Sequence, residues 1–317
     1  MTTTTLSLPE AFAARLAQIV PAAQLPAVMD SFACEKPVAF RVNTLKAEPA
    51  AVLERLRAAG FVLTAVDYYP AAAIVPAAQK RALTETPEFY AGEIYLQNLS
   101  SQLAALLVAP QAGEAVLDLA AAPGGKTTLL AALMQNDGRL SAVEPVKDRF
   151  FRLKRNLDEQ GVTMARCYMH DGRAVGSKTP DTFDRVLLDA PCSSEARFDL
   201  NDPETLNHWT PAKVKECSKK QQRLLLSALQ AVKPGGLVLY STCSFAPEEN
   251  EGVLTYVLDR LGDAVTLEAI ELPISNTQPG ITHWQGKDWP AAVALARRIL
   301  PNEVYDGFFI AKLRRLK

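Results

Sequence analysis

The stretch Ala115-Val-Leu-Asp-Leu-Ala-Ala-Ala-Pro-Gly-Gly-Lys-Thr-Thr128 decides the fold. Ala115–Leu119 is a short apolar run of strand type, and Pro123-Gly124-Gly125 is a turn. Lys126–Gln135 then carries a helical pattern. A glycine turn between strand and helix lets backbone N–H groups approach a polar or anionic ligand at a helix N-terminus. Gly-Lys-Thr invites a phosphate-loop reading, but that loop needs a glycine five positions before the Gly of Gly-Lys. Position 120 is Ala, and GxGxxG is absent too, so a phosphate-loop nucleotidase is disfavoured.

Working outward, the same alternation repeats. Leu140–Val143 predicts a second strand and Lys147–Gln160 a helix closed by Gly161. Met164–Met169 and Phe183–Leu188 predict further strands. A long helix, Pro211–Val232, ends at Pro234-Gly235-Gly236. Leu237–Ser241 predicts a strand, Glu248–Leu261 a helix and Gly307–Leu313 a last strand. Strands alternating with helices imply an α/β fold, a doubly wound and mostly parallel sheet covered on both faces. Upstream, residues 9–33 read as two short helices punctuated by Pro21 and Pro26. Val38–Leu45, Ala50–Ala59 and Phe61–Val66 read as a βαβ piece of a small α+β unit. The expected division is 1–96 and 97–317. A chain of 317 residues fits one large domain plus a smaller one, since single cores stop growing near roughly 250–300 residues.

The composition, 48% hydrophobic and 22% charged, is that of a globular protein and excludes disorder or a disulfide miniprotein. A net charge of −1 argues against a general nucleic-acid coat protein but leaves room for a local basic groove. Met1–Leu8 lacks the charged start and apolar core of a secretory signal. No run approaches the roughly 18 apolar residues of a membrane span. The five cysteines are odd in number, form no CxxC pair and do not cluster with the three histidines. Neither a disulfide framework nor a metal site is expected, and free thiols fit a reducing cytoplasm.

In doubly wound sheets, functional residues gather at the carboxyl ends of strands. Four acids sit at such ends: Asp118, Glu144, Asp171 and Asp189. Singly, each is better read as a helix cap or solvated turn. Together they fit a ligand with hydroxyl, amine and adenine donors but no triphosphate, such as S-adenosylmethionine. Glu144 lies roughly twenty residues past Gly124, the usual place of a ribose-binding carboxylate. Cys192, in Asp189-Ala-Pro-Cys-Ser-Ser194, and Cys243, in Tyr240-Ser-Thr-Cys-Ser-Phe245, also follow strands directly. A free Cys is usually a small buried hydrophobe, and Cys34, Cys167 and Cys217 are left at that reading. Cys192 and Cys243 instead stand among small polar residues, where adjacent parallel strands bring both thiols over one sheet edge. Cys243 also precedes the helix at Pro247-Glu248, and a helix N-terminus acidifies a thiol. Paired thiols over a methyl-donor site point to covalent catalysis on a poorly nucleophilic ring carbon.

At these residues the sequence resembles the Sun/Nop family of S-adenosylmethionine-dependent RNA cytosine-5 methyltransferases, the bacterial 16S rRNA enzymes included. The match runs from about residue 36 to the end. It comprises Arg41-Val-Asn-Thr-Leu-Lys46, Gln97-Asn-Leu-Ser-Ser101, Ala121-Ala-Pro-Gly-Gly-Lys-Thr127, Asp189-Ala-Pro-Cys192, Ser241-Thr-Cys-Ser244, Pro247-Glu-Glu-Asn-Glu251 and Asp306-Gly-Phe-Phe309. Ala120 departs from the family, which commonly has Cys there. The resemblance implies a class I methyltransferase fold. It further implies that Ala120, Ala121, Ala122, Pro123, Gly124, Gly125 and Lys126 contact the methionine part of the cofactor. Glu144, with Arg149 nearby, would hold the ribose and Asp171 the adenine amine. Asp189 would lie between cofactor and cytosine, Cys243 would be the nucleophile, and Cys192 would resolve the adduct.

The implied partner is RNA, rRNA before tRNA, with no membrane and no obligate protein partner. A DNA cytosine-5 methyltransferase, which uses the Pro-Cys cysteine as nucleophile, and a non-catalytic RNA-binding assembly factor are the competing readings. Basic residues expected to face RNA are Lys213, Lys215, Lys219, Lys220 and Arg223, then Arg149, Arg152, Lys154 and Arg155. Arg41, Lys46, Lys312, Arg314, Arg315 and Lys317 add to them, although a solvated face is the simpler account of any one run. Tyr68 and Tyr69 are the stacking candidates of the N-terminal unit, which resembles the family's RNA-binding domain.

Overall fold

The computed structural model describes residues 7–317; most of Met1–Leu8 therefore lies outside the described residues. The dominant feature is a nine-stranded mixed sheet. Its parallel half has the spatial order Val232–Thr242, Phe183–Asp189, Ala115–Asp118, Arg139–Val143, Ala165–Tyr168. Phe308–Arg315 joins antiparallel beside Val232–Thr242, followed by Arg297–Ile299 and Thr277–Pro279; Val265–Glu268 pairs with the far part of Phe308–Arg315. The strand order reverses beside Ala115–Asp118, the place where a doubly wound sheet opens a crevice.

The central strands are apolar without alternation because both faces are covered. Leu117, Val186, Leu188, Val238 and Tyr240 pack on one side against Leu225, Ala228 and Leu229 of the helix Pro211–Ala231. Val116, Leu187 and Leu239 pack on the other against Leu103, Leu129 and Leu130, from the helices Leu99–Val108 and Gly125–Leu133. The helices begin on ordinary cues: Thr210 accepts the amide of Lys213 in front of Pro211. The Pro234-Gly235-Gly236 turn does not separate helix from strand. The strand starts at Val232 and runs through it, with Gly235 at φ +79°.

The N-terminal unit is a four-stranded sheet, Thr64–Ala65, Ala72–Val75, Val38–Val42 and Ile94–Leu96, with the helix Pro49–Ala58 on it. All its pairings are antiparallel, so the expected βαβ piece is not one. Phe61–Val66 contributes only an edge strand of two residues, Thr64–Ala65. Residues 8–32 do not belong to that unit's core. Phe12, Leu16, Val28 and Phe32 pack against Phe198, Trp209, Phe245 and Trp284 of the larger domain. Among the described residues, no helix is long and apolar enough to cross a membrane.

Candidate active site

A cleft of about 1370 Å³ opens at the carboxyl edge of the parallel strands. Its floor is the turn after the first of them. Gly124 takes φ +115°, which a side chain would strain, and an added Cβ would lie 3.1 Å from Leu153. Ala122 and Pro123 are joined by a cis peptide bond. Arg149 donates to the Ala122 carbonyl at 2.8 Å and Asn156 to that of Pro123 at 2.7 Å. From the opposite side the N-terminal unit closes on the same turn. A Cβ on Gly125 would stand 3.0 Å from Tyr95, and Arg41 reaches the Gly125 carbonyl at 3.2 Å and Thr128 Oγ1 at 2.6 Å.

Ala120, Ala121, Ala122, Pro123, Gly125, Lys126 and Arg149 all line this cleft, with Asp118, Asp189, Cys192 and Cys243. Lys126 Nζ lies 2.7 Å from Asp189 Oδ2 and 2.6 Å from Ser101 Oγ. Ser241 Oγ donates to Asp189 Oδ1 at 2.9 Å, as the Asp189–Ser241 strand register allows. Both oxygens of Asp189 are thus aimed by fixed donors. Asp118 is buried, and burial raises its carboxyl to about 6. Its Oδ2 accepts from Thr127 at 2.7 Å, while Oδ1 has no partner among the described residues.

Cys192 Sγ and Cys243 Sγ are 3.2 Å apart. That contact makes the Cys243 thiol more acidic, lowering its pKa against burial, with Arg197 adding a favourable charge. The same contact and burial push the Cys192 thiol up. The lowering therefore comes from the partner thiol and Arg197. The α-helix invoked from sequence does not adjoin the thiol: a 3₁₀ turn at Pro247–Glu249 intervenes, and the α-helix starts only at Glu251.

Two predicted cofactor acids sit apart from the cleft wall. Glu144 is buried at the end of its strand, accepting the amide of Val146 at 2.9 Å, with Arg149 3.6 Å from Oε2. Asp171 turns away: its carboxylate pairs with Arg173 and caps the turn Gly172–Ala174. It lines a separate pocket of about 440 Å³ with Arg223.

The basic residues divide. Arg149 and Arg152 line the cleft, joined by Lys36, Lys80 and Arg197, which no sequence pattern singled out. Arg41 is fully buried, hydrogen-bonded to Gln97 at 2.9 Å, and Lys46 is tied to the Ala91 and Glu159 carbonyls. Lys312 and Arg314 pair with Glu268, and Arg315 with Asp181. They lie at the far end of a strand antiparallel to Val232–Thr242, away from the cysteines. Tyr68 and Tyr69 are partly buried in packing, with the Tyr68 hydroxyl 3.5 Å from that of Tyr305.

A family description, 16S rRNA methyltransferase RsmB/F, matches residues 105–314, and one for the N-terminal domain of 16S rRNA methyltransferase RsmF matches residues 8–99. The chain belongs to the RsmB/F methyltransferase family. It is similar to ribosomal RNA small subunit methyltransferase F of Vibrio campbellii, with 38% identity over 98% of this chain and 63% of the relative. The corresponding Cronobacter sakazakii protein is 36% identical over 97% and 63%. The chain thus spans somewhat less than two thirds of the length of these curated relatives. Among solved structures, a methyltransferase homolog from Pyrococcus horikoshii superposes with a TM-score of 0.84 and 33% identity, covering 100% of both chains. A second from that organism, NSun6, has a TM-score of 0.82 at 21% identity, over 98% of this chain and 99% of its own, and shares the fold. The doubly wound sheet expected from the alternating strands, and the class I methyltransferase fold implied by the resemblance, are the fold found.

Proposed function

We propose that this chain is an S-adenosylmethionine-dependent RNA cytosine-5 methyltransferase acting on 16S rRNA through a covalent cysteine adduct. The observation that carries the reading is the pair of thiols 3.2 Å apart at the ends of adjacent parallel strands, facing one cleft with Asp189. The rRNA substrate is favoured over tRNA by the curated relatives' names.

The residues present fit the cofactor. The unpartnered Asp118 Oδ1 is a buried acceptor on the cleft wall, suited to an ammonium group. The turn at Gly124 is tightly packed, an added Cβ meeting Leu153 at 3.1 Å, so a side chain there would disturb the loop that lines the cleft. The residues proposed to hold the cofactor are Ala120 to Lys126, with Glu144 and Arg149 at the ribose; Asp171 would first have to leave Arg173 to meet the adenine. When bound, S-adenosylmethionine supplies an electrophilic methyl group to carbon 5 of the pyrimidine.

The chain's own residues do the rest. The Cys243 thiolate adds to carbon 6, which makes carbon 5 nucleophilic. Asp189, oriented by Lys126 and Ser241, accepts a hydrogen bond from the ring at protonated nitrogen 3 and stabilises its charge. After methylation a base takes the proton from carbon 5, the sulfur–carbon 6 bond breaks, and Cys243 leaves as thiolate. Cys192, kept protonated by its raised pKa, can donate to that departing sulfur. The cytosine must leave any base stack to enter the cleft. Residues 1–96 are proposed as the RNA-binding unit, with its Lys36 and Lys80, together with Arg149, Arg152 and Arg197 of the larger domain, as phosphate contacts along the cleft.

The test is methyl transfer from labelled S-adenosylmethionine to 16S rRNA, tRNA and DNA in parallel, with methylated sites mapped as bisulfite-resistant cytosines. Incorporation at carbon 5 of a 16S cytosine supports the reading. Incorporation into tRNA alone moves the substrate, and none into any RNA refutes the activity.

A further inference from the structure

Beneath the two thiols lie two fully buried carboxylates, Glu195 and Glu249, that the reaction above does not use. Glu195 belongs to the loop that carries Cys192. Its Oε2 nevertheless accepts the backbone amides of Phe245 and Ala246, each at 2.8 Å, in the loop that carries Cys243. Glu249 follows Cys243 in the chain. Its carboxylate accepts the Ser193 amide at 3.0 Å and the Ser193 hydroxyl, on the other loop. Ser244 Oγ bridges both acids, 2.8 Å from Glu249 and 3.1 Å from Glu195. Trp209 Nε1 and Gln221 Nε2, each at 2.7 Å, hold the carboxylates from outside. Each loop therefore supplies the acid that captures the backbone next to the other loop's cysteine.

We propose that Glu195 and Glu249 are positioning residues, a reciprocal clamp between the two cysteine loops that holds the Cys192 and Cys243 thiols in contact. A buried carboxylate survives only when its acceptor sites are filled. Donors from the opposite loop are therefore required partners, and the loops cannot separate without stranding them. The clamp acts through Cys192, whose contact is the largest influence making the Cys243 thiol more acidic. The charged groups facing Cys243 directly are Arg197 and Asp189; neither belongs to the clamp. The inference deepens the proposed function by resting on Cys243 as nucleophile, but its test needs no RNA.

The experiment follows the rate of Cys243 alkylation by iodoacetamide against pH, by mass spectrometry of intact protein whose melting curve is recorded alongside. The variants are Glu249→Gln, Glu195→Gln, Ser244→Ala and Cys192→Ala. Loss of the clamp moves the midpoint upward, toward an ordinary thiol, and each unit of that shift cuts the rate below the midpoint about tenfold. Ser244→Ala, which removes the one hydroxyl shared between the two carboxylates, keeps the test valid should either Gln variant fail to fold. Adding Ser244→Ala to Cys192→Ala should produce no further shift, because the clamp acts through that thiol. Folded clamp variants with an unchanged midpoint, or a full additional shift on the Cys192→Ala background, would overturn the proposal. Failure of methyl transfer with these shifts intact would count against the function alone.

Discussion

Glu249 Oε2 lies 2.7 Å from Gln221 and 3.0 Å from the Ser193 amide, in a site from which water is excluded. The carboxyl there is pushed up to about 7, first by burial and then by the nearby Glu195. A carboxyl whose folded value is raised keeps a proton that the unfolded chain has lost. Stability must then fall as pH rises from about 4.5 through about 7, by a contribution of roughly 3 kcal/mol. Urea unfolding between pH 5 and pH 8 checks this. Glu249→Gln should flatten the decline; an equal slope in the variant would assign the effect to another group.

The catalytic pH profile should be set by Cys243. Its lowered pKa places the thiolate within reach of neutral pH, so activity rises with pH through that value and then levels. In Cys192→Ala the main cause of the lowering is gone, and the rising limb of any residual adduct formation should move upward. Stopped-flow or quenched single-turnover assays read this shift directly.

Gly124 tests the cofactor loop. A Cβ at φ +115° costs about 1–3 kcal/mol of backbone strain and presses on Leu153. Gly124→Ala should weaken S-adenosylmethionine binding by calorimetry roughly tenfold or more, at a melting temperature lowered by only a few degrees. Unchanged affinity would remove the turn from the cofactor site.

Arg298 and Glu251 form a fully buried ion pair, at 2.7 Å and 2.5 Å, and Arg298 also donates to the Phe245 carbonyl two residues past Cys243. Arg298→Ala strands a buried carboxylate and should cost about 3–5 kcal/mol in urea unfolding. The shorter Glu251→Gln change, which leaves the arginine a neutral acceptor, should cost less.

These residues show where sequence reading stops. The parallel half of the sheet was legible because apolar runs and glycine turns are local signals, and Asp189, Cys192 and Cys243 followed from their places just past strand ends. The antiparallel half was legible only in its long strand, expected at Gly307–Leu313: Val265–Glu268, Thr277–Pro279 and Arg297–Ile299 are strands of three or four residues, too short to carry an alternating pattern. Glu195 and Glu249 carry no periodic signal, since their role depends on two loops meeting in space. Charge runs misled in a physical way. Arg41 and Arg314 carry the same guanidinium as Arg152, yet burial withdraws the one from any RNA and Glu268 pairs with the other. Asp171 occupies the expected position, but Arg173, two residues on, takes its carboxylate.

The central claim is that Cys243 attacks the base and Cys192 releases it. The most direct measurement is denaturing-gel retention of 16S RNA by the protein, with S-adenosylmethionine present, for wild type, Cys243→Ala and Cys192→Ala. The account predicts that 5-fluorocytosine RNA is retained by the wild type and not by Cys243→Ala. It also predicts that Cys192→Ala accumulates the adduct on ordinary RNA. Adduct formation by Cys243→Ala, or its loss in Cys192→Ala alone, would contradict it.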